Sequence, residues 1–160
     1  MKALIKAALL LSAMGMAATT QAAAAPDFTL KARDGNNLRL AEQRGDIVLI
    51  NFWASWCGPC IQEMPQLDKL AQKYQPLGVQ VWGVNVENDP SAANAYLNKV
   101  NVEFPILFDL DNSVSKAYRV EAMPTTVILD KNGTVRSVHR GYKPGFEKKY
   151  EDEIKGLLRE

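Results

Sequence analysis

Residues 47–60 read IVLINFWASWCGPC. The first six, Ile47 to Phe52, form a short apolar run rich in β-branched side chains, as expected for a strand that is buried on both faces. The two cysteines of the chain, Cys57 and Cys60, follow directly. Apolar residues at helical spacing come next: Ile61, Met64, Leu67, Leu70 and Ala71. The segment therefore predicts a buried strand that leads through a cysteine pair into a helix.

A C-x-x-C pair is either half of a zinc site or a redox-active dithiol. Zinc normally takes four ligands, and beyond these sulfurs the chain offers only carboxylates and one histidine, His139, which we expect at a solvent-facing strand position. A purely structural disulfide would gain little here, because its stabilising effect grows with the length of the loop it closes. We therefore interpret Cys57 and Cys60 as a reversible dithiol that uses no metal and no organic cofactor.

The position of the pair favours catalysis. Cys57 would lie at the N-terminus of the helix, where the helix dipole and free backbone N–H groups favour a thiolate and lower the pKa. The thiolate is the attacking species in disulfide exchange. Cys60, one turn further along, would be more buried and suited to resolving the mixed disulfide. Pro59 fits the first turn, because it has no N–H to lose there.

The rest of the chain predicts an α/β protein. Further strands are expected at Val79–Val86, Pro105–Phe108, Thr125–Leu129 and Thr134–Val138. Further helices are expected from Asp89 or Ser91 to about Val100, over Ser113–Tyr118 and over Phe146–Arg159. This order predicts a mixed central β-sheet with helices on both faces.

The composition supports one globular domain, which we place at residues 26–160 and expect to be a monomer. The chain has 160 residues, of which 47% are hydrophobic, and a net charge of +1. That length suits a single domain with its own apolar core. A charge so close to zero provides no basic face for nucleic acid.

Residues 1–22 have the pattern of a secretory signal peptide. Lys2 and Lys6 form a positive start, Ala7 to Ala18 is an uncharged and mostly apolar run, and small residues allow cleavage after Ala22 or Ala24. An uncleaved N-terminal membrane anchor is the alternative, but a span needs about 20 apolar residues and this run is shorter. We therefore expect a periplasmic protein.

Three segments resemble a known family. Residues 51–60 (NFWASWCGPC) resemble the active site of the thioredoxin superfamily. Residues 60–65 (CIQEMP) and 123–126 (MPTT) resemble its exported TlpA-like branch, which includes the cytochrome c maturation reductants. The resemblance implies a thioredoxin-like fold and reduction of disulfides in client proteins, apocytochrome c or other assembly clients among them. It also implies a membrane thiol reductase as electron donor.

The resemblance further implies where a client binds. Trp56, Met123, Pro124 and Thr125 would shape a groove beside the cysteines, and the peptide bond before Pro124 would be cis. The backbone of Met123 would then be free to pair with an extended client segment, as in β-strand addition. Trp53 is expected in the core below the active-site helix.

One position departs from thioredoxin itself. Thioredoxins carry a buried aspartate on the strand before the active site, where this chain has Asn51, and an amide cannot take a proton from the resolving thiol. The TlpA-like resemblance implies an acidic residue just after the next strand, which makes Glu87 the candidate catalytic acid and Asp89 its alternative. Glu63 is interpreted as a residue of the first helical turns that the helix dipole favours.

The sequence alone leaves three other functions open. The first alternative is a thiol oxidase. A peroxiredoxin-like antioxidant is disfavoured, because the peroxidatic cysteine of that family follows a Thr or Ser by three residues and Ala54 stands there. A non-catalytic binding module with a thioredoxin fold is the last alternative, and an intact cysteine pair argues against it.

Overall fold

The computed structural model describes residues 23–160, so the expected signal peptide lies outside the described residues. The strands in this range are β1 (Thr29–Ala32), β2 (Asn37–Arg39), β3 (Ile47–Trp53), β4 (Val79–Asn85), β5 (Ile106–Phe108), β6 (Thr125–Leu129) and β7 (Val135–Arg140). The α-helices are α1 (Gly58–Tyr74), α2 (Ser91–Leu97), α3 (Ser113–Ala117) and α4 (Phe146–Leu158).

The strands form one mixed sheet in the order β2-β1-β5-β4-β3-β6-β7. Strand β4 pairs in parallel with both β3 and β5, whereas β6 runs antiparallel to β3 and β7. Parallel neighbours require a crossover connection, and α1 provides it between β3 and β4. The predicted mixed sheet is confirmed.

The side chains of β3 alternate between two apolar cores. Ile47, Leu49 and Trp53 belong to a core that also contains buried residues of α1, α2 and α4. Val48, Ile50 and Phe52 belong to a second core on the other face, where Val114 of α3 contributes. Helices therefore cover both faces of the sheet, as predicted. Strand β3 lies inside the sheet between β4 and β6, and the cysteine loop follows its last residue, Trp53.

The structure adds a hairpin that the sequence did not predict. Strands β1 and β2 pair with each other, and β1 joins the sheet through Lys31 and Ala32, which pair with Phe108 and Leu107 of β5. Helix α2 is shorter than expected, since it ends at Leu97 rather than near Val100.

Among residues 23–160, no helix combines the length and the apolar character that crossing a membrane would require.

Candidate active site

Cys57 and Cys60 are joined by a disulfide at the start of α1. Cys57 is the N-cap residue of the helix, and its Sγ accepts a hydrogen bond from the backbone N–H of Cys60 at 3.2 Å. Cys57 is 5% exposed and Cys60 is 0% exposed. After reduction the same N-cap geometry would stabilise negative charge on Cys57, because free N–H groups at a helix start favour an anion.

Several chain segments meet around this disulfide. Trp53, the last residue of β3, pairs with Asn85, the last residue of β4. On the other side of β3, Phe52 pairs with Thr125, the first residue of β6, and Pro124 directly precedes it. The cysteine loop after β3, the acidic segment after β4 and the proline before β6 therefore lie at the same end of the sheet.

The residues expected to bind clients have different degrees of exposure. The side chain of Trp56 is 70% exposed beside Cys57, which suits an apolar contact with another protein. Met123 is half-buried and Pro124 is buried, and the peptide bond between them is cis, as expected. Thr125 is fully buried and its hydroxyl donates to the Ala122 carbonyl at 2.7 Å. Thr125 can therefore shape the groove only from beneath.

Glu63 lies one turn after Cys60 and is fully buried. Its Oε1 accepts hydrogen bonds from the Tyr150 hydroxyl at 2.8 Å and from the Thr126 hydroxyl at 3.5 Å. Its Oε2 accepts from the side-chain amide of Asn51 at 2.8 Å. Side chains from α4, β6 and β3 therefore hold one carboxyl group from three directions.

Burial raises the pKa of Glu63 from its ordinary value of 4.5 to about 7, because a charged carboxylate is costly to remove from water. The hydrogen bonds from Tyr150, Asn51 and Thr126 act in the opposite direction, since they stabilise the ionised form. Glu63 can thus gain and lose a proton near neutral pH. Residues three apart on a helix share a face, so this carboxyl group lies on the same side of α1 as Cys60.

The interpretation of Glu63 as a residue favoured by the helix dipole is wrong. Glu63 lies in the second turn of α1, and its side chain points into the protein. The sequence did contain a signal for this. Buried residues on α1 recur with spacings of three and four, and Glu63 occupies one place in that series: Cys60, Glu63, Leu67, Leu70 and Tyr74. A carboxylate at such a position marks a buried acid.

Glu87 holds the loop that leads into Cys57. Its Oε2 accepts from the backbone N–H of Ser55 at 2.8 Å, and its Oε1 accepts from the Ser55 hydroxyl at 2.8 Å. The Asn85 amide donates to Oε2 at 2.9 Å. The expectation that Glu87 takes the proton of Cys60 stays a prediction, and Glu63 is now a second candidate for that role.

The alternative acid, Asp89, is exposed and accepts hydrogen bonds from the backbone N–H and the hydroxyl of Ser91 at 2.9 and 2.6 Å. These contacts stabilise the start of α2. Of the two acidic residues that follow β4, it is Glu87 that contacts the cysteine loop.

His139 is not solvent-facing, contrary to expectation. Its side chain is 18% exposed, its Nε2 lies 2.9 Å from Glu153 Oε1, and its ring packs against Tyr150 with the ring centroids 4.9 Å apart. Within residues 23–160 no group of three or more His, Cys, Asp or Glu side chains is arranged to hold a metal ion.

Comparison with known proteins agrees with this geometry. The Redoxin family matches residues 20–154. The thiol-disulfide oxidoreductase ResA of Geobacillus thermodenitrificans is 39% identical over 117 residues, which cover 73% of this chain and 67% of that protein.

Two solved structures extend the comparison. A protein from Chlorobium tepidum assigned as the thiol:disulfide interchange protein DsbE is 36% identical with a TM-score of 0.82, and the match covers 86% of this chain and 96% of that chain. The exposed lipoprotein thioredoxin Etrx1 of Streptococcus pneumoniae is 26% identical with a TM-score of 0.72, and the match covers 82% and 100% of the two chains.

Proposed function

Since the chain belongs to the Redoxin family and is a thiol–disulfide oxidoreductase with a thioredoxin-like fold, we propose that it works as a reductant of disulfides in exported client proteins. The resemblance of its motifs to the thioredoxin superfamily and the TlpA-like branch is confirmed. One observation carries the assignment of roles to the two cysteines: Cys57 caps the helix and is the more exposed of the pair, whereas Cys60 is fully buried.

The reaction proceeds in two exchanges. The Cys57 thiolate attacks one sulfur of a client disulfide, a mixed disulfide forms, and the other client sulfur leaves as a thiolate that takes up a proton. Cys60 then loses its proton and attacks Cys57 Sγ. The second client sulfur leaves, and the Cys57–Cys60 disulfide forms. The second client thiolate then takes up a proton as well. The client thus gains two electrons from the cysteine pair and two protons, one of them released by Cys60 and the other taken from solvent.

Glu63 is our candidate for the proton acceptor in the second exchange. A buried thiol is a poor nucleophile until it is deprotonated, since burial in apolar surroundings raises the pKa of a cysteine. Glu63 lies one turn along the helix from Cys60, and its pKa of about 7 allows it to accept the proton near neutral pH. Glu87 remains the alternative acceptor.

The groove offers two kinds of contact to a client. Trp56 presents an apolar surface next to Cys57, and the backbone of Met123 would pair with an extended segment that carries the target cysteine. Such a segment is the kind of client that the family resemblance implies, including apocytochrome c and other assembly proteins with paired cysteines.

We place the protein outside the cytoplasmic membrane, where it would receive electrons from a membrane thiol reductase. The signal-peptide pattern of residues 1–22 supports export. Cleavage after Ala22 would retain the hydrogen bond from the Val135 N–H to the Ala23 carbonyl at 3.0 Å, whereas cleavage after Ala24 would remove it. The intact mass of the exported protein distinguishes the two sites.

The direction of electron flow is tested by the reduction potential of the Cys57–Cys60 pair in glutathione redox buffers. A reductant should have a potential more negative than about −200 mV, toward that of thioredoxin at roughly −270 mV. A potential near the roughly −120 mV of the oxidase DsbA would contradict the proposal and favour a thiol oxidase. Failure to reduce insulin disulfides at all would favour a binding module.

A further inference from the structure

Tyr150 brings the last helix, α4, into the active site. Its side chain is fully buried, and its hydroxyl donates to Glu63 Oε1 at 2.8 Å across 87 positions of the chain. We infer that Tyr150 is a positioning residue for the exchange reaction, because its hydroxyl holds the Glu63 carboxylate ready to accept the proton of Cys60. The inference rests on the proposed role of Glu63 as proton acceptor, and it adds Tyr150 as the residue that orients the Glu63 carboxylate.

The ring of Tyr150 is held in place from its other side. His139 of β7 packs against it with the ring centroids 4.9 Å apart. Glu153 holds His139 at 2.9 Å and also accepts a hydrogen bond from the Ser137 hydroxyl. The hydroxyl of Tyr150 therefore has a fixed direction toward Glu63.

Tyr150 is a donor and not a proton relay. Burial and the neighbouring Glu63 raise the pKa of Tyr150 far above its ordinary value of 10, so the hydroxyl keeps its proton over the pH range in which thiols exchange. A hydrogen bond to an ionised acceptor is stronger than one between neutral groups, and it is stronger still away from water. Loss of the hydroxyl would raise the pKa of Glu63 further, because desolvation raises this pKa and the hydrogen bond from Tyr150 lowers it.

The other groups around Glu63 do not replace this donor. Thr126 reaches the same oxygen only at 3.5 Å, and Asn51 serves the other oxygen. The negative charge of Glu147 raises the pKa of Glu63. On α1, Cys60 shares a helix face with Glu63. The other titratable groups that act on Glu63 or on its Tyr150 partner are Tyr142 before α4, Glu147 on α4 and His139 on β7.

The test replaces one hydroxyl at a time in the full chain. Tyr150→Phe removes the donor to Glu63 and keeps the ring. Tyr74→Phe is the matched control, because the buried Tyr74 hydroxyl also donates to a carboxylate, Glu151, at 2.6 Å. The first measurement is the titration of the Glu63 side-chain carboxyl group by ¹³C NMR in the oxidised protein, with the signal assigned by comparison with Glu63→Gln. The second is the pH profile of the rate at which a mixed disulfide, formed with oxidised glutathione, is resolved.

In Tyr150→Phe we expect the pKa of Glu63 to rise by roughly one pH unit, which makes resolution about tenfold slower below the original pKa of about 7. The rate should recover at higher pH, which a general structural defect would not produce. Tyr74→Phe should match the wild type in both measurements. An unchanged Glu63 titration in a folded Tyr150→Phe variant would overturn the inference.

A second substitution keeps the inference testable if Tyr150→Phe does not fold. Placing 3-fluorotyrosine at position 150 makes the phenol more acidic and a stronger donor, so the pKa of Glu63 should fall rather than rise. No downward movement would overturn the inference. A wild-type pH profile in Glu63→Gln would instead refute proton transfer to Glu63, while the NMR titration would still decide whether Tyr150 sets the protonation of that carboxyl group.

Discussion

The buried acid of this candidate active site lies on helix α1 and not on strand β3. Thioredoxins carry their aspartate where this chain has Asn51, and here the Asn51 amide donates to Glu63 at 2.8 Å. In this chain the buried carboxylate lies on α1, on the helix face that it shares with Cys60. An amide on β3 is well suited to this arrangement, because it can donate to the acid that now faces it.

The raised pKa of Glu63 predicts how stability depends on pH. The folded protein holds a proton on Glu63 up to about pH 7, whereas the unfolded chain loses it near the ordinary 4.5. The stability that protonated Glu63 contributes is therefore fully present below about pH 4.5 and is lost as the pH rises through about 7. The loss is on the order of 3 kcal/mol. Urea unfolding of the oxidised protein should show it, and Glu63→Gln should flatten the profile; equal slopes in both proteins would contradict the assignment.

Glu87 permits a separate prediction. Glu87→Gln should slow reduction of insulin disulfides about tenfold, the effect of losing one hydrogen bond to a charged group, and should change the alkylation pKa of Cys57 little. Ser55→Ala is the matched variant, because it removes only the hydroxyl partner of Glu87. If Glu87 acts by holding the loop, Ser55→Ala should be slow as well; if Glu87 accepts the proton, Ser55→Ala should be close to wild type. Wild-type rates in Glu87→Gln would exclude both roles.

Among single residues, the sequence predicted those that belong to a recognisable motif. Cys57, Cys60 and Pro124 belong to short motifs, and the structure shows the disulfide between the two cysteines and the cis bond before Pro124. Glu63 was misjudged because its helix face was counted from apolar residues alone. The hydrogen bond between Tyr150 and Glu63 could not be predicted, because no local pattern links a residue of α4 to an acid on α1.

At the scale of elements, β4 and α4 provide a matched pair of glycines. A Cβ on Gly83 would lie 2.8 Å from Ile106 Cδ1 and 3.0 Å from Phe104 Cε2, in the core below the cysteine loop. Gly83→Ala should therefore destabilise the protein by about 1–3 kcal/mol. Gly156 lies inside α4 with open space around it, so Gly156→Ala should stabilise the protein by about 0.5–1 kcal/mol. Thermal unfolding measures both; a stabilised Gly83→Ala would show that this part of the core is loosely packed.

Strand β3 was predicted from the sequence, whereas strands β1 and β2 were not. Strand β3 has seven buried residues in succession, and its continuous apolar run predicts a strand from the sequence alone. Strands β1 and β2 have only four and three residues, with a largely exposed or half-buried pattern. The hairpin joins the sheet only through the pairing of β1 with β5. The alternation of side chains within these seven residues cannot indicate a partner strand so far along the chain.

At the scale of the whole molecule, the active site is assembled from parts that are far apart in the chain. The proposed nucleophile, Cys57, lies at the start of α1, and the buried Glu63 lies in its second turn. The groups that hold Glu63 come from β3, β6 and α4. A local motif can therefore identify the reaction, whereas the groups that tune it are visible only in the fold. We propose that Cys57 attacks the client disulfide and that Cys60 resolves the mixed disulfide.

Trapping of mixed disulfides tests that claim most directly. Cys60→Ser keeps the nucleophile and removes the resolving thiol, so this variant, expressed with residues 1–22, should accumulate covalent complexes that disappear on adding reductant. Cys57→Ser should trap far fewer, because Cys60 is fully buried and lacks the helix N-cap position. Non-reducing electrophoresis compares the two; one or two dominant bands would indicate a dedicated client and a smear a general one. Equal trapping by both variants would contradict the division of roles between the two cysteines.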